Sequence, residues 1–186
     1  MEVDCTDSDH DDILASIKGD EDAYANLVVR YQAKVFNQMW RFTRDPNVLE
    51  ELVQEVFIEV YRSLKSFKGK APFLHWIRRI ATRVGYRYWK HEARSRRLRE
   101  EIERQSDWKR YSTENPEPSE AAEYLHNLLA QLPIKERLVL SLIYFEECNN
   151  REIAERTGWS EGLVRVRAHR ARQRLKKLLE NAGFGR

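Results

Sequence analysis

The apolar residues of this chain recur at three- and four-residue spacing almost from end to end, a period that fits α-helices and no other regular structure. In "VLEELVQEVFIEVYRSL" the residues Leu49, Leu52, Val53, Val56, Val60 and Leu64 fall on one side of a helix turning by about 100° per residue. Only 7 glycines and 5 prolines interrupt the pattern in 186 residues, and no run alternates apolar with polar as a half-buried strand does. The expected fold class is therefore all-α. With 41% hydrophobic and 34% charged residues, the chain has material for one ordinary domain or two small ones.

Turn chemistry divides the pattern into helices. A short helix is expected from near Asp11, a second from about Asp22 to Phe42, a turn at "RDPN" and a third helix from about Val48 to Leu64. After the loop "KSFKGKAP" a long fourth helix starts at Pro72, whose missing N–H costs nothing in a first turn. Beyond Arg104 the sequence "SDWKRYSTENPEPSEA" reads as a flexible linker. Further helices are expected from near Ser119, at Pro133, near Asn150 and at Ser160. This gives an acidic extension with the first short helix over 1–20, a helical domain over 21–104, a linker over 105–119 and a second, four-helix domain over 120–186.

The formal net charge of +3 hides a strong separation along the chain. Acidic residues crowd the start (Asp4, Asp7, Asp9, Asp11, Asp12), which is read as a flexible extension in preference to a regulator of DNA access. Basic residues gather in mid-chain, from Arg78 to Arg99, and again at the end. Two basic helices fit two contacts with a polyanion, since each neutralised phosphate releases counterions. No apolar run approaches the roughly 18 residues needed to span a bilayer, and the acidic start is unlike a secretory leader, so a cytoplasmic protein that does not itself enter a membrane is expected. Cys5 and Cys148 are too few and too far apart to form a disulfide framework.

In "GLVRVRAHRARQRLKKLL" the small and apolar residues Val164, Ala168, Ala171, Leu175, Leu178 and Leu179 form one face, and Arg165, Val166, His169, Arg170 and Gln173 the opposite one. Ahead of it, "NNREIAERTGWS" gives a short helix with Ile153 and Ala154, then Gly158 at a sharp turn. Together they make a helix-turn-helix, whose second helix fits the major groove. Arg165, Val166, His169 and Arg170 are the candidate base readers; Arg167, Arg172, Arg174, Lys176 and Lys177 are placed for phosphates.

The mid-chain helix differs. Phe73, Ile77, Ile80, Ala81, Val84 and Tyr88 make its core face, while His75, Arg79, Arg83, Tyr86 and Lys90 form an outward row with Trp76 and Trp89 at its edges. Aromatic rings among basic residues suit unstacked bases, because rings stack on bases while Arg and Lys follow the backbone. On the preceding helix Gln54, Ile58 and Tyr61 face outward beside Glu51 and Arg62, a weak sign of a protein-binding patch.

These residues resemble the bacterial extracytoplasmic-function group of sigma factors of RNA polymerase. The resemblance runs from about Ala23 to Leu179 and rests on "LVQEVFIEVYRSLKSFKGKAPFLHWIRRIA" and "LPIKERLVLSLIYFEECNNREIAERTGWSEGLVRVRAHRARQRL". It implies a factor that binds core polymerase and directs promoter-specific initiation. By the same resemblance, Glu51, Gln54, Glu55, Phe57 and Ile58 dock on the β′ clamp helices, and the β flap is a further contact on core polymerase. The loop Phe67, Lys68, Gly69, Lys70 and Ala71, with His75, Trp76, Arg79, Arg83, Tyr86 and Lys90, opens the −10 element and holds its non-template strand. Arg165, Val166, His169 and Arg170 read the −35 element, and the linker enters the RNA exit path. An anti-sigma factor is a further implied partner. Arg83 stands where many relatives carry Asn, and Leu163 and Val166 stand where Thr and Ser are frequent, so the promoter sequence read should differ.

The chain is not expected to be an enzyme or to need a metal or cofactor. Glu123 and His126 give one E-x-x-H where a di-iron bundle needs two, and "FKGKAP" lacks the spacing of a phosphate-cradling loop. The alternative function is a stand-alone helix-turn-helix regulator that binds duplex DNA without polymerase. A DNA-processing enzyme is a more distant third.

Overall fold

The computed structural model describes residues 6–103 and 120–184, and every regular element among them is helical. The helices are α1 (Thr6–Ile17), α2 (Glu21–Met39), α3 (Pro46–Ser63), α4 (Phe73–Glu103), α5 (Glu120–Ala130), α6 (Ile134–Phe145), α7 (Asn150–Thr157) and α8 (Glu161–Asn181), with one 3-10 turn at Leu64–Ser66. Backbone contacts divide the chain into two compact units, 1–85 and 86–186. The expected linker, 105–119, lies outside the described residues.

In the first unit, side chains at helical spacing on three helices close one core. Leu27, Val35 and Met39 of α2, Leu49, Val56 and Val60 of α3, and Ile77, Ile80, Ala81 and Val84 of α4 are all fully or almost fully buried. Acidic caps start two of the helices: Asp20 accepts from the Ala23 N–H at 3.0 Å, and Asp45 from the Asn47 N–H at 2.9 Å with Pro46 in the first turn. Polar contacts fix the register of α2 on α4, where Gln38 Nε2 donates to the Arg78 carbonyl at 3.2 Å and to Thr82 Oγ1 at 3.1 Å. Gly85 lets the buried Phe42 ring lie directly on the α4 backbone.

The acidic start departs from expectation. A helix forms from Thr6, five residues earlier than the sequence indicated, and docks on α2. Two of its acidic residues, Asp9 and Asp12, are consumed in that contact. Arg30 donates to Asp9 at 2.6 Å and to Asp12 at 2.7 Å, and the Tyr31 hydroxyl also donates to Asp9. Burial works against the Arg30 charge, and the hydrogen bonds it donates to Asp12 and Asp9 overcome it, holding its pKa above the ordinary value. Ile13 and Ser16 are buried beside them, so α1 is a packed element rather than a flexible extension.

In the second unit Leu129, Leu132, Leu140 and Ala171 form a cluster against which Leu125, Leu175 and Leu178 pack, joining α5, α6 and α8. Ile153 and Val164, both fully buried, bring α7 under α8. An ion pair between Glu146 and Arg156 at 3.0 Å ties the end of α6 to α7, with side chains only 6% and 11% exposed. Asn149 and Glu152 cap α7 reciprocally, and Gly158 ends it in the left-handed conformation at φ 75°. Ser160 Oγ then accepts from the Leu163 N–H at 3.3 Å to start α8. α7, the Gly158 turn and α8 are the helix-turn-helix the sequence indicated.

Candidate nucleic-acid interface

On α8 the small side chains Val164, Ala168 and Ala171 are buried, which brings the helix close to its neighbours and leaves its opposite face open. Arg165, Val166, His169, Arg170 and Gln173 all lie exposed on that face. Val166, 47% exposed, and Leu163, 40% exposed, set apolar groups among the cations. The flanking arginines are each held by the scaffold. The Arg167 guanidinium lies 3.8 Å over the Trp159 ring, Arg172 Nε donates to the Tyr144 hydroxyl at 3.2 Å, and Arg174 pairs with the buried Glu136 at 2.7 Å. Lys176 pairs along the helix with Glu180 at 3.7 Å, and Lys177 is exposed.

The sequence marked the arginines but not the groups that hold them. Glu136 stands 38 positions from Arg174, a pairing only the tertiary fold creates. Trp159 carried a weak signal, a large ring between a turn glycine and a helix cap.

The second basic site begins at the loop before α4. Gly69 takes φ 65°, turning the chain so that Lys68, Gly69, Lys70 and Ala71 are exposed. Phe67 packs edge-on against Phe73 with ring centroids 5.1 Å apart, and Trp76 lies 5.3 Å from Phe67 and 5.6 Å from Phe73. This three-ring cluster fixes the base of the loop, leaving Phe67 and Trp76 half-buried. Along α4, His75, Arg79, Arg83 and Lys90 are exposed and Tyr86 half-buried, with Lys90 Nζ 5.7 Å from the centre of the Tyr86 ring. Trp89 does not join them. It is 5% exposed, a packing residue rather than a member of the outward row.

On α3, Glu51, Gln54 and Ile58 are exposed, with Ile58 at 49% and Tyr61 at 48%, and Glu55 is half-buried. Tyr24 reaches over from α2, its ring 4.8 Å from that of Tyr61 and its hydroxyl donating to the Phe57 carbonyl at 2.5 Å. Burial raises the Tyr24 pKa well above the usual phenol value, so the group stays a neutral donor. Phe57 differs from expectation: its side chain is buried and supports this face from beneath. Docking residues must be solvent-facing, and an apolar ring at that helix position is claimed by the core.

Among the described residues no cluster of His, Cys, Asp or Glu is placed to hold a metal ion, and no helix is long and apolar enough to cross a membrane. Cys148 is buried outside any disulfide, its Sγ donating to the Glu146 carbonyl at 3.6 Å.

Residues 27–95 match the family model for sigma-70 region 2, and residues 122–175 that for sigma-70 region 4. RNA polymerase sigma-H factor of Pseudomonas aeruginosa is 32% identical over 88% of this chain and 89% of its own length. The ECF RNA polymerase sigma factor SigW of Bacillus subtilis is 31% identical over 88% and 92%, and the ECF sigma-E factor of Escherichia coli 34% identical over 84% and 86%. Among solved structures, CnrH in complex with the cytosolic domain of CnrY is similar with a TM-score of 0.64 at 22% identity, covering 94% of this chain and 98% of that one. The sigma factor RpoE of Bartonella quintana, in complex with the anti-sigma factor NepR, is similar at 0.60 and 19%, covering 84% and 96%. At these identities the structural likeness supports the helical fold.

Proposed function

Since the chain belongs to the extracytoplasmic-function sigma factors, non-enzymatic proteins that direct RNA polymerase to promoters, we propose that its faces divide that work among three sets of residues. The exposed row of α8, with Arg165, Val166, His169 and Arg170, reads the −35 element as duplex, while Arg167, Arg172 and Arg174 meet the phosphates. The loop Phe67–Ala71 and the α4 row of His75, Trp76, Arg79, Arg83, Tyr86 and Lys90 open the −10 element and hold its separated strand. Glu51, Gln54, Glu55 and Ile58, extended by Tyr61, dock on the β′ clamp helices, and the second domain engages the β flap.

The observation that carries this reading is the contrast between the two basic surfaces. α8 offers a smooth, cation-rich helix face suited to a groove, whereas the start of α4 carries aromatic rings beside cations, the chemistry of single-strand binding. Val166 adds a methyl surface where relatives are often polar, so thymine, which carries a methyl in the major groove, is the expected base opposite it. On this reading the domains expected over 21–104 and 120–186 carry one basic surface each. By analogy with its solved neighbours the protein is held idle by an anti-sigma factor, and it works in the cytoplasm with polymerase.

Transcription from duplex and pre-melted promoters tests the division. Pre-melting the −10 region removes the opening step and so partly restores initiation by the Arg79→Ala and Arg83→Ala variants, while it leaves the defect of Arg165→Ala and Arg170→Ala in place. Rescue of both sets alike, or of neither, would overturn the assignment.

A further inference from the structure

We propose that Trp159 is a positioning residue for promoter binding, holding the Arg167 guanidinium flat against its ring so that the edge of the fork is presented to a DNA phosphate. This rests on the reading of α8 as the −35 helix.

Trp159 is itself held firmly. Gly158 before it is in the left-handed conformation at φ 75°, Ser160 after it caps α8, and its own N–H donates to Thr157 Oγ1 at 3.4 Å. The ring therefore leaves the backbone from a locked turn. Arg167 stands seven positions beyond Ser160, two helical turns up on nearly the same side of α8, and its guanidinium lies 3.8 Å over the ring. The consequence is visible in exposure: Arg165 and Arg170 are exposed, whereas Arg167 is half-buried.

The geometry suits arginine in particular. A guanidinium is planar, so a ring against its face leaves its in-plane N–H groups available, and those are the groups that match a phosphate. A lysine ammonium has no such edge. One terminal nitrogen, Arg167 Nη1, is buried with no hydrogen-bond partner among the described residues, so the proposed phosphate contact falls to the Nε and Nη2 edge. Stacking compensates part of that desolvation. A head group already fixed also loses less freedom on meeting its phosphate than an unstacked, solvated one would.

Promoter binding by the complete holoenzyme, measured over a range of salt concentrations, tests this with Trp159→Phe, Trp159→Leu, Arg167→Ala and the Trp159→Leu/Arg167→Ala double variant. Phe keeps a π face and Leu fills space without one. Arg167→Ala and Trp159→Leu should each weaken binding by about three- to tenfold and each flatten the slope of log affinity against log salt by about one. Trp159→Phe should stay near wild type, and the double variant should be no weaker than Arg167→Ala. Equal behaviour of Phe and Leu at position 159, additive losses, or an unchanged salt slope in Trp159→Leu would overturn the positioning role. If Arg167→Ala itself changes neither affinity nor slope, the phosphate contact assigned to Arg167 falls and the proposal with it. A defective Arg167→Ala beside a normal Trp159→Leu overturns the proposal alone.

Discussion

Replacing Gly85 by alanine places a methyl group where the structure has no room for one. Gly85 lies within α4, and a Cβ built there would stand 2.5 Å from three atoms of the Phe42 ring. Carbon atoms in contact prefer about 3.5–4.0 Å, so the ring must retreat by about 1 Å or more. Phe42 is only 6% exposed and has the core behind it. Overpacking of this kind costs roughly 1–3 kcal/mol. Against that stands the gain of about 1 kcal/mol from exchanging glycine for alanine inside a helix. The balance is a loss of roughly 0–2 kcal/mol, centred near 1. Gly162, in the first turn of α8, is the internal control, because nothing lies within 4 Å of its Cβ position. Gly162→Ala should leave stability unchanged or raise it by up to about 1 kcal/mol. Urea denaturation followed by circular dichroism measures both. Phe42→Leu should relieve the Gly85→Ala defect, since a smaller side chain opens the space. A Gly85→Ala protein stabilised by the full helix-propensity gain would refute the close packing of Phe42 on α4.

Three further outcomes follow from particular contacts. Glu146→Ala leaves the Arg156 charge almost buried and unpaired, so it should destabilise the second unit by about 3–5 kcal/mol, while Glu146→Met/Arg156→Leu loses much less; urea denaturation of the variants distinguishes them. Asp9→Ala strips Arg30 and Tyr31 of a shared partner and should weaken the docking of α1 by roughly 1–3 kcal/mol, read as faster proteolytic cleavage within residues 6–17. Val166→Ser should leave stability unchanged but reduce the preference for thymine opposite that position by less than about tenfold, as measured by holoenzyme selection from promoters randomised at the −35 element.

Much of this architecture is legible in the sequence because apolar spacing and helix punctuation act locally. Asp45 with Pro46, Asn149 with Glu152, Gly158 and Ser160 start or stop helices through contacts within a few residues, and the helix boundaries follow them. The division of α8 into a buried Val164–Ala168–Ala171 face and an open arginine face needs only the helical period. The order of α1 was not legible, because Asp9 and Asp12 look solvated until Arg30 and Tyr31, some twenty residues away, are folded against them. The same blindness to distance hid the Glu136–Arg174 pair. Phe57 was assigned to a docking face by resemblance, where the structure shows that the helix turns it inward.

The account turns on one claim, that this chain gives promoter choice to RNA polymerase instead of binding DNA on its own. Run-off transcription with core polymerase, with and without the protein, on a library of promoter fragments tests it, alongside a mobility shift of the protein alone. Specific transcripts only when both are present, with no shift by the free protein, are the predicted result. Polymerase that gains nothing, together with a protein that shifts duplex DNA unaided, would contradict it and mark the chain as a free-standing regulator.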